Sequence, residues 1–409
     1  MRITAATLAL TAALGGVALA QDRSPNLSIG DPARRDRQVS VVLDGITDTT
    51  AGDVLTPDEL AARLDGVRLL FVGESHTSQA FHDVQLRVLQ ALRARGRRVI
   101  VGLEMYPYTE QRWLDEWSAG SMTESDFVTK SRWYRNWGYN WNYYREIFQF
   151  ARAQSIRLYG VNVPRTVVQT ARTKGLDALD AEARGYLPPR IDLDSAEHRT
   201  LFRAYFGDGD PLHSLSSEQW EGMYRAQSTW DAAMGYGAVK ALEDTPDPNA
   251  IAVVLIGAGH VAYGLGAERQ AALWFKGRQA SLIPVPVTDE SGKPTDPVRA
   301  SYANFVWGVM AESAPAYPVL GLSTSSQKEG DAYKVIGVSK GSLAESSGFK
   351  VGDFLVSLDD AAIDDVETLN RLMAQKRWGD AAAFRIRRGS EVVPIRVLLR
   401  RSLPKQETR

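Results

Sequence analysis

Five short apolar runs, separated by longer amphipathic stretches, constrain the fold of this chain more than any other feature. The runs are VRLLFVG (67–73), RVIVGLE (98–104), IRLYGVNVP (156–164), IAVVLIGAG (251–259) and SLIPVPV (281–287). In the segments between them, such as MYRAQSTWDAAMGYGAVKALED, apolar and aromatic residues recur at helical spacing. This alternation is typical of an α/β domain. The sequence therefore predicts a mainly parallel sheet with flanking helices.

The amino terminus and the composition limit the location and the partners of the protein. Residues 1–20 join Arg2 to an apolar run that ends in an A-x-A site, which predicts a cleaved signal peptide and a periplasmic or secreted protein. A retained membrane anchor is the alternative. The polar residues 21–45 predict a linker. A net charge of -1 predicts no nucleic-acid partner. Because the chain has no cysteine, disulfides, thiolate metal sites and lipid-bearing cysteines are excluded.

Two of the apolar runs end alike, in VRLLFVGESH (67–76) and IAVVLIGAGH (251–260), and each closes with glycine, two residues and histidine. The carboxyl ends of parallel strands lie on one edge of a sheet, where ligands bind. We therefore expect six polar residues that follow strands to line one cleft, namely Glu74, His76, Glu104, Asn162, Arg165 and His260. A single histidine after a strand is more often a capping or core residue, but the chain has only five histidines.

Two further segments leave alternatives open. His82 and Gln85 share a helix face with Leu86 and Leu89, so they either face the cleft or form a buried hydrogen-bonding pair. The stretch RWYRNWGYNWNYY (132–144) is rich in aromatic residues and asparagines. It is either an exposed surface that binds a flat or apolar ligand, or a packing surface at a helix start.

Five blocks of sequence carry a resemblance to a known family. They are FVGESH…FHDVQLRVLQAL, VGLEMYP, RNWGYNWNYYREIFQFARAQSIRLYGVNVPR, YRAQSTWDAAM and IGAGHVAYGLG. In this order they resemble the ChaN-like haem-binding uptake family of the Tiki/TraB and erythromycin-esterase-like superfamily, over residues 46–290. The resemblance implies a periplasmic haem binder linked to iron uptake, with haem held where two subunits of a homodimer meet. The lipid-bearing cysteine of ChaN lipoproteins is missing here.

The resemblance implies two chemistries for the same cleft. For haem, His76, His82 and Tyr263 are the predicted iron-side residues, and Arg165 is the predicted partner of a propionate. The alternative is hydrolysis of a peptide or ester by Glu74, His76, Glu104 and His260. In its metal-dependent form, His76, Glu104 and His260 would hold a divalent ion such as Zn²⁺ or Mn²⁺. A metal-free form would use His76 as the base.

After a predicted proline-rich connector at 291–315, the chain reads YPVLGLSTSS (317–326), the glycine-bounded turn SSGFKVGD (346–353) and VETLNRLMAQK (366–376). In these motifs residues 316–400 resemble a bacterial PDZ domain. This resemblance implies a small domain of mixed strands and helices that binds the carboxyl terminus of a peptide at Leu320, Gly321 and Leu322. The helix at 366–376 would flank the groove. The alternative is a PDZ domain that serves only for dimerisation or packing, in a protein that acts as a scaffold.

Overall fold

The computed structural model describes residues 26–205, 216–289, 292–295, 297–325, 328–330 and 332–401. The predicted signal peptide and His213 lie outside these residues. The chain forms two compact units. In its described residues the larger unit spans 26–131 and 144–312, and the smaller one spans 132–143 and 313–401. None of the helices in the described ranges has the length and apolar character that crossing a membrane requires.

An eight-stranded sheet lies at the centre of the larger unit. In chain order, the strands of this unit are β1 (Gln38–Val39), β2 (Ile46–Asp48), β3 (Val54–Leu55), β4 (Val67–Glu74), β5 (Val99–Pro107), β6 (Leu158–Asn162), β7 (Ile251–Gly257), β8 (Arg278–Pro286), β9 (Val298–Arg299) and β10 (Phe305–Val309). The sheet has the order β3-β2-β10-β8-β4-β7-β5-β6, and β1 pairs separately with β9. Neighbouring strands from β10 to β6 are parallel, which confirms the predicted fold class.

The order of the strands places the two glycine–histidine motifs side by side. The chain runs from β4 to β5 and β6 and then returns to insert β7 between β4 and β5. In the resulting register Glu74 of β4 lies opposite Gly257 of β7. The carboxyl ends of β4, β7 and β5 therefore meet at the middle of one sheet edge.

Helices cover both faces of this sheet. They are Pro57–Arg63, Gln79–Ala94, Gln111–Ser118, Glu124–Lys130, Arg145–Ala153, Arg165–Lys174, Ala181–Gly185, Ala196–Ala204, Ser217–Glu243 and Ala267–Ala271. Phe71 of β4 shares a buried cluster with Met234 of the long helix Ser217–Glu243. The next residue, Val72, is equally buried and points to the opposite face, because side chains alternate along a strand. Strands buried on both faces read as continuous apolar runs, which explains the pattern in the sequence.

Two stretches that the sequence predicts to connect domains contribute to the larger unit. In the predicted linker 21–45, the Leu27 amide donates to the Tyr263 hydroxyl at 3.0 Å, and Arg34 donates to Thr49 Oγ1 at 2.8 Å. In the predicted connector 291–315, β10 adds a buried strand parallel to β8. Neither contribution could be predicted from the sequence, because both stretches are polar or rich in proline. Few of their residues follow the regular apolar period of a strand or helix.

The smaller unit contains a six-stranded sheet and short helices. The strands are β11 (Leu322–Thr324), β12 (Tyr333–Val338), β13 (Phe354–Leu358), β14 (Ala361–Ala362), β15 (Ala381–Arg388) and β16 (Glu391–Leu398), and the helices are Trp133–Asn136, Leu343–Ser346 and Val366–Ala374. A core that includes Leu355, Leu369 and Phe384 holds them together. The strand β11 lies at an edge of this sheet, beside β12.

The aromatic segment 132–143 belongs to the smaller unit. The Asn370 side chain donates to the Tyr134 carbonyl at 3.2 Å, and Asn140 donates to the Ala374 carbonyl at 3.2 Å. Tyr143 meets the ring of Tyr317 edge to face at 4.8 Å. These contacts with the helix Val366–Ala374 and its neighbourhood favour the packing interpretation of this segment.

Candidate active site

Glu74 and His76 form the first pair of the site, at the end of β4. Glu74 is fully buried, and its Oε1 lies 2.8 Å from Nδ1 of His76. A carboxylate can only accept, so Nδ1 carries the proton and the lone pair of the neutral ring is at Nε2. The His76 side chain is 11% exposed, and residues 77–80 after it are partly exposed. The buried Glu74 therefore orients the His76 ring, and part of the His76 side chain stays accessible from solvent.

Three buried side chains support Glu74 from the other sides. Tyr144 donates to Oε1 at 2.6 Å and Gln85 donates to Oε2 at 2.8 Å. His82 has its Nδ1 at 3.5 Å from Oε2, and its ring stacks at 4.2 Å on Tyr144. Because His82 is only 1% exposed, its placement favours the second of its two predicted roles, a buried hydrogen-bonding partner. Its predicted role in binding a cofactor stays a prediction.

The environment of this pair sets the charges of Glu74 and His76. Burial raises the pKa of Glu74. The charges of His82 and His76 and the hydrogen bonds from His76 and Tyr144 outweigh burial and lower the pKa to about 2. Burial lowers the pKa of His76, and the bond and charge of Glu74 together with the charge of Glu104 outweigh this effect and raise it. Glu74 is an anion at neutral pH, and His76 is shifted towards its charged form.

Glu104 lies between the two histidine motifs, near the end of β5. Its Oε2 accepts from the Gly257 amide at 2.5 Å, and its Oε1 lies 3.5 Å from Nε2 of His260. The side chain of Asn162 donates to the Glu104 carbonyl at 2.9 Å, which fixes the backbone at this point. A Cβ at position 257 would lie 3.0 Å from Cε1 of His76, so the glycine leaves room for that ring.

His260 forms a second carboxylate–imidazole pair with Asp231 of the long helix. Nδ1 of His260 lies 2.6 Å from Oδ1 of Asp231, which is fully buried. Burial lowers the pKa of His260, but the charge and hydrogen bond of Asp231 and the charge of Glu104 raise it overall. Burial raises the pKa of Asp231, and the charges and bonds of His260 and His198 lower it overall. Both motif histidines thus turn Nδ1 to a buried carboxylate.

Two further predicted residues, Arg165 and Tyr263, lie on other elements of the larger unit. Arg165 is exposed at the first turn of the helix Arg165–Lys174, which follows β6. Tyr263 is 4% exposed, and its ring meets Tyr302 at 5.4 Å. Burial, the largest influence, raises the pKa of Tyr263 to about 12 and disfavours a phenolate. Its predicted role as a haem ligand stays a prediction.

Four site residues were not predicted from the sequence: Tyr144, Gln227, Trp230 and Asp231. Gln227, Trp230 and Asp231 follow one another at i, i+3 and i+4 in the long helix, and Trp230 faces His260 edge to face at 6.5 Å. The block YRAQSTWDAAM contains all three and carries the only signal that could have found them, a charged residue within an apolar helical stripe. A charged residue on an otherwise apolar helix face predicts that its charge is paired with a buried partner.

The predicted metal set of His76, Glu104 and His260 does not form a metal site. Among the described residues, no group of three or more side chains is placed to hold a metal ion. The physical reason is that Glu104 is already engaged, because its Oε2 accepts from the Gly257 amide and its Oε1 lies 3.5 Å from Nε2 of His260.

The predicted peptide loop lies at the start of β11 in the smaller unit. Gly321 adopts a left-handed φ of 75°, and its carbonyl accepts from the Ser339 amide at 2.9 Å. The Leu320 carbonyl accepts from the Ala344 amide at 2.9 Å, and Leu322 opens the edge strand. Both carbonyls are engaged within the unit, and the strand that follows lies at the sheet edge, where an added peptide strand would bind.

Comparisons with known proteins agree with this architecture. A family model described as haem-binding uptake, Tiki superfamily, ChaN matches residues 60–270, and a PDZ domain model matches residues 318–399. A comparison with curated proteins gives no match. The solved structure of ChaN of Campylobacter jejuni with cofacial haem shares 15% identity and a TM-score of 0.50, over 64% of this chain and 95% of that one. At this identity the likeness shows the fold alone.

Matches to proteases cover only a small part of the chain. The HtrA-type protease AlgW with decapeptide shares 19% identity over 22% of this chain and 30% of that one, with a TM-score of 0.20. The serine endoprotease from Yersinia pestis shares 18% identity over 20% and 29%, with a TM-score of 0.18. Partial likenesses of this size carry no argument about activity.

Proposed function

Because the chain belongs to the haem-binding uptake family of the Tiki superfamily, ChaN, we propose that it binds haem at the carboxyl edge of its main sheet, with His76 as the iron ligand. One observation carries this assignment: the fully buried Glu74 holds Nδ1 of His76 at 2.8 Å. A carboxylate on one imidazole nitrogen orients the ring and makes the other nitrogen a better ligand. Haem bound there would supply the redox-active iron and a flat apolar surface.

The surroundings of His76 fit a flat, dianionic ligand. The imidazole is reached from outside the sheet edge, where 11% of its side chain is exposed. Trp230 supplies a partly buried aromatic wall beside His260. Arg165 lies on the same edge of the sheet and is exposed, so it is the candidate cation for a propionate. In the same proposal the protein acts in the periplasm or is secreted, handles haem for uptake, and works as a homodimer.

Titration of the mature full-length protein with haemin tests the proposal. We expect a Soret band that grows in proportion to added haemin and saturates at a fixed stoichiometry per chain. Gel filtration of the loaded protein should show whether haemin binding and dimer formation occur together. A Soret band that keeps growing without saturation, as with an unspecific carrier such as denatured protein, would contradict a specific site.

Gly257→Ala is expected to weaken haemin binding about tenfold, which is the lower end of the effect of disturbing the support of a metal-binding histidine. The added Cβ would lie 3.0 Å from Cε1 of His76 and displace the ring. The measurement is the same titration. Gly185→Ala is the control, since a Cβ there meets no atom within 4 Å. An unchanged affinity in Gly257→Ala would show that the position of the His76 ring does not matter for the ligand.

Hydrolysis is a second candidate function, favoured by the two carboxylate–imidazole pairs that flank Glu104. In a metal-free reaction, Nε2 of His76 would take a proton from water while Glu74 stabilises the charged ring. The expected result is slow cleavage of a p-nitrophenyl ester that His76→Ala abolishes and that added chelator leaves unchanged. Cleavage at equal rates by the wild type and by His76→Ala would exclude hydrolysis as a function of this cleft.

For the smaller unit we propose binding of a peptide carboxyl terminus beside Leu320, Gly321 and Leu322. Gly321→Ala should abolish enrichment of a displayed library of free carboxyl-terminal peptides, because its Cβ would lie 2.4 Å from Cβ of Ser342. Gly389→Ala is the control: it shares a left-handed φ, 63°, but meets no atom within 4 Å. Alanine in this conformation costs roughly 1–2 kcal/mol at either position, so only the contact differs. Equal enrichment by both variants would argue for a packing role.

A further inference from the structure

Asp231 is a carboxylate buried in the middle of the long helix, between two histidines. Its Oδ1 lies 2.6 Å from Nδ1 of His260, and its Oδ2 lies 3.3 Å from Nε2 of His198 in an ion-pair contact. Asp231 is fully buried, and His198 is 1% exposed. Burying a carboxylate is costly unless it is paired and hydrogen-bonded. Two imidazoles on one buried carboxylate therefore indicate a built arrangement rather than a chance contact.

The surroundings of His198 determine where its proton lies. Nη2 of Arg269 is 3.4 Å from Nδ1 of His198, and the hydroxyl of Tyr224 is 3.1 Å from the same nitrogen. A guanidinium can only donate, so Nδ1 of His198 is the acceptor and its Nε2 carries the proton. That proton faces Oδ2 of Asp231. Nε2 of His198 thus lies 3.3 Å from Oδ2 of Asp231, and Oδ1 faces His260.

The same reasoning determines the orientation of His260. A 2.6 Å contact between Nδ1 and the ionised Asp231 requires a proton on Nδ1, because a carboxylate only accepts. The amide nitrogen of Gln227 is placed 2.8 Å from Nδ1. Because Nδ1 already donates to Asp231, the Nδ1–H form requires the amide to be turned by 180°, so that its oxygen faces the ring and accepts. Nε2 is then turned towards the cleft, 3.5 Å from Glu104. Trp230 keeps the ring edge covered.

We propose that Asp231, with His198 behind it, is a positioning residue that holds His260 in its Nδ1–H form and presents Nε2 of His260 to the ligand in the cleft. The presentation to haem rests on the proposed function, whereas the tautomer of His260 is a property of the protein without ligand. The arrangement mirrors Glu74 and His76, so that the cleft offers two oriented imidazoles. Nε2 of the neutral His260 ring is an acceptor, so it would face a hydrogen-bond donor of the ligand.

Nitrogen-15 NMR of the histidine rings in the full-length protein without haemin tests this directly, at a pH where His260 is neutral. Only five histidines contribute to the spectrum. We expect an Nδ1–H ring for His260 and an Nε2–H ring for His198. Asp231→Asn should reduce the Nδ1–H form of His260, since the amide does not demand a proton from the ring. His198→Gln keeps an N–H donor at Asp231 and should leave His260 unchanged.

Haemin titration gives the second readout. Asp231→Asn is expected to weaken binding about tenfold, in line with the loss of a partner behind a metal-site histidine. We expect His260→Ala to weaken binding at least as much, because it removes the ring that Asp231 positions. His260 in the Nε2–H form in the wild type overturns the proposal, even where Asp231→Asn does not fold. An Asp231→Asn protein with unchanged ring signals and unchanged binding also overturns it. A wild type that fails to bind haemin contradicts the proposed function instead, and the ring spectrum still decides the tautomer.

Discussion

His76→Ala is expected to weaken haemin binding by more than the roughly 10–100-fold that follows the loss of a supporting partner, because the iron ligand itself is removed. The remaining contacts of the ligand would be apolar surface, the cation of Arg165 and Nε2 of His260. The Soret band of any haemin still bound should move, since the axial ligand changes. The measurement is an absorbance titration of both proteins at equal concentration.

Gln79→Ala is the matched control for this variant. Gln79 is partly exposed in the same turn after β4, and its side chain donates only to Asp83, at 2.9 Å. We expect its titration curve to overlie that of the wild type. If His76→Ala binds haemin as the wild type does, with the same absorbance maximum, the iron ligand lies elsewhere and the assignment of His76 fails.

Glu74→Ala is expected to cost about 3–5 kcal/mol of unfolding free energy, the usual effect of removing one partner of a buried ion pair. The alanine would leave Tyr144, Gln85 and His76 without the oxygen that each contacts at 2.6–2.8 Å. Urea unfolding followed by circular dichroism measures the loss. The control is Glu243→Ala, which removes an exposed pair with Lys240 and should cost less than about 1 kcal/mol. A loss as small as that of the control would contradict the role of Glu74 as the centre of the site.

The pKa shifts of Glu74, His76 and His260 predict how the free energy of unfolding changes with pH. The pKa of Glu74 falls from an ordinary value of 4.5 to about 2, so its stabilising contribution is present above pH 4.5 and is lost as the pH falls towards 2. The pKa values of His76 and His260 are raised from 6.5, so their contributions are present below pH 6.5 and are lost as the pH rises through the folded values. We expect these groups to stabilise the fold most between about pH 4.5 and 6.5.

Glu74→Gln separates the acidic arm of this profile from other carboxylates. The amide keeps the size of the side chain but does not titrate, so unfolding free energy should fall less steeply below pH 4.5 than in the wild type. Urea unfolding at several pH values between 2 and 8 measures the difference. Parallel acid arms in the two proteins would show that folding does not lower the pKa of Glu74.

Much of the larger unit could be predicted from the sequence because its strands are buried on both faces. Each of the five apolar runs became a strand of the sheet, and the two glycine–histidine endings came to lie side by side. The family could be recognised for the same reason, since four of its five blocks contain the end of a strand. The PDZ domain was recognised from its glycine-bounded turns and its groove helix.

Residues that reach the site from distant elements could not be predicted in this way. Tyr144 is the last residue of an aromatic stretch whose composition suggests a binding surface, yet its hydroxyl donates to Glu74. Asp231 lies in the helix Ser217–Glu243, where it is the charged residue that the apolar face buries. His198 lies in a polar stretch of the sequence, but it is buried in the helix Ala196–Ala204 beside Asp231. A local sequence pattern does not indicate which distant residue a buried polar side chain contacts.

The sequence by itself determined that this chain has an α/β domain, a PDZ domain and a pair of histidines at strand ends, because apolar period and turn residues act over short distances along the chain. Only the tertiary structure decided that β7 inserts between β4 and β5, that residues 132–143 pack with the smaller unit, and that each motif histidine turns Nδ1 to a buried carboxylate. These features depend on contacts between residues that are far apart in the chain. Their free energy comes from burial and from paired charges, which the order of residues does not reveal.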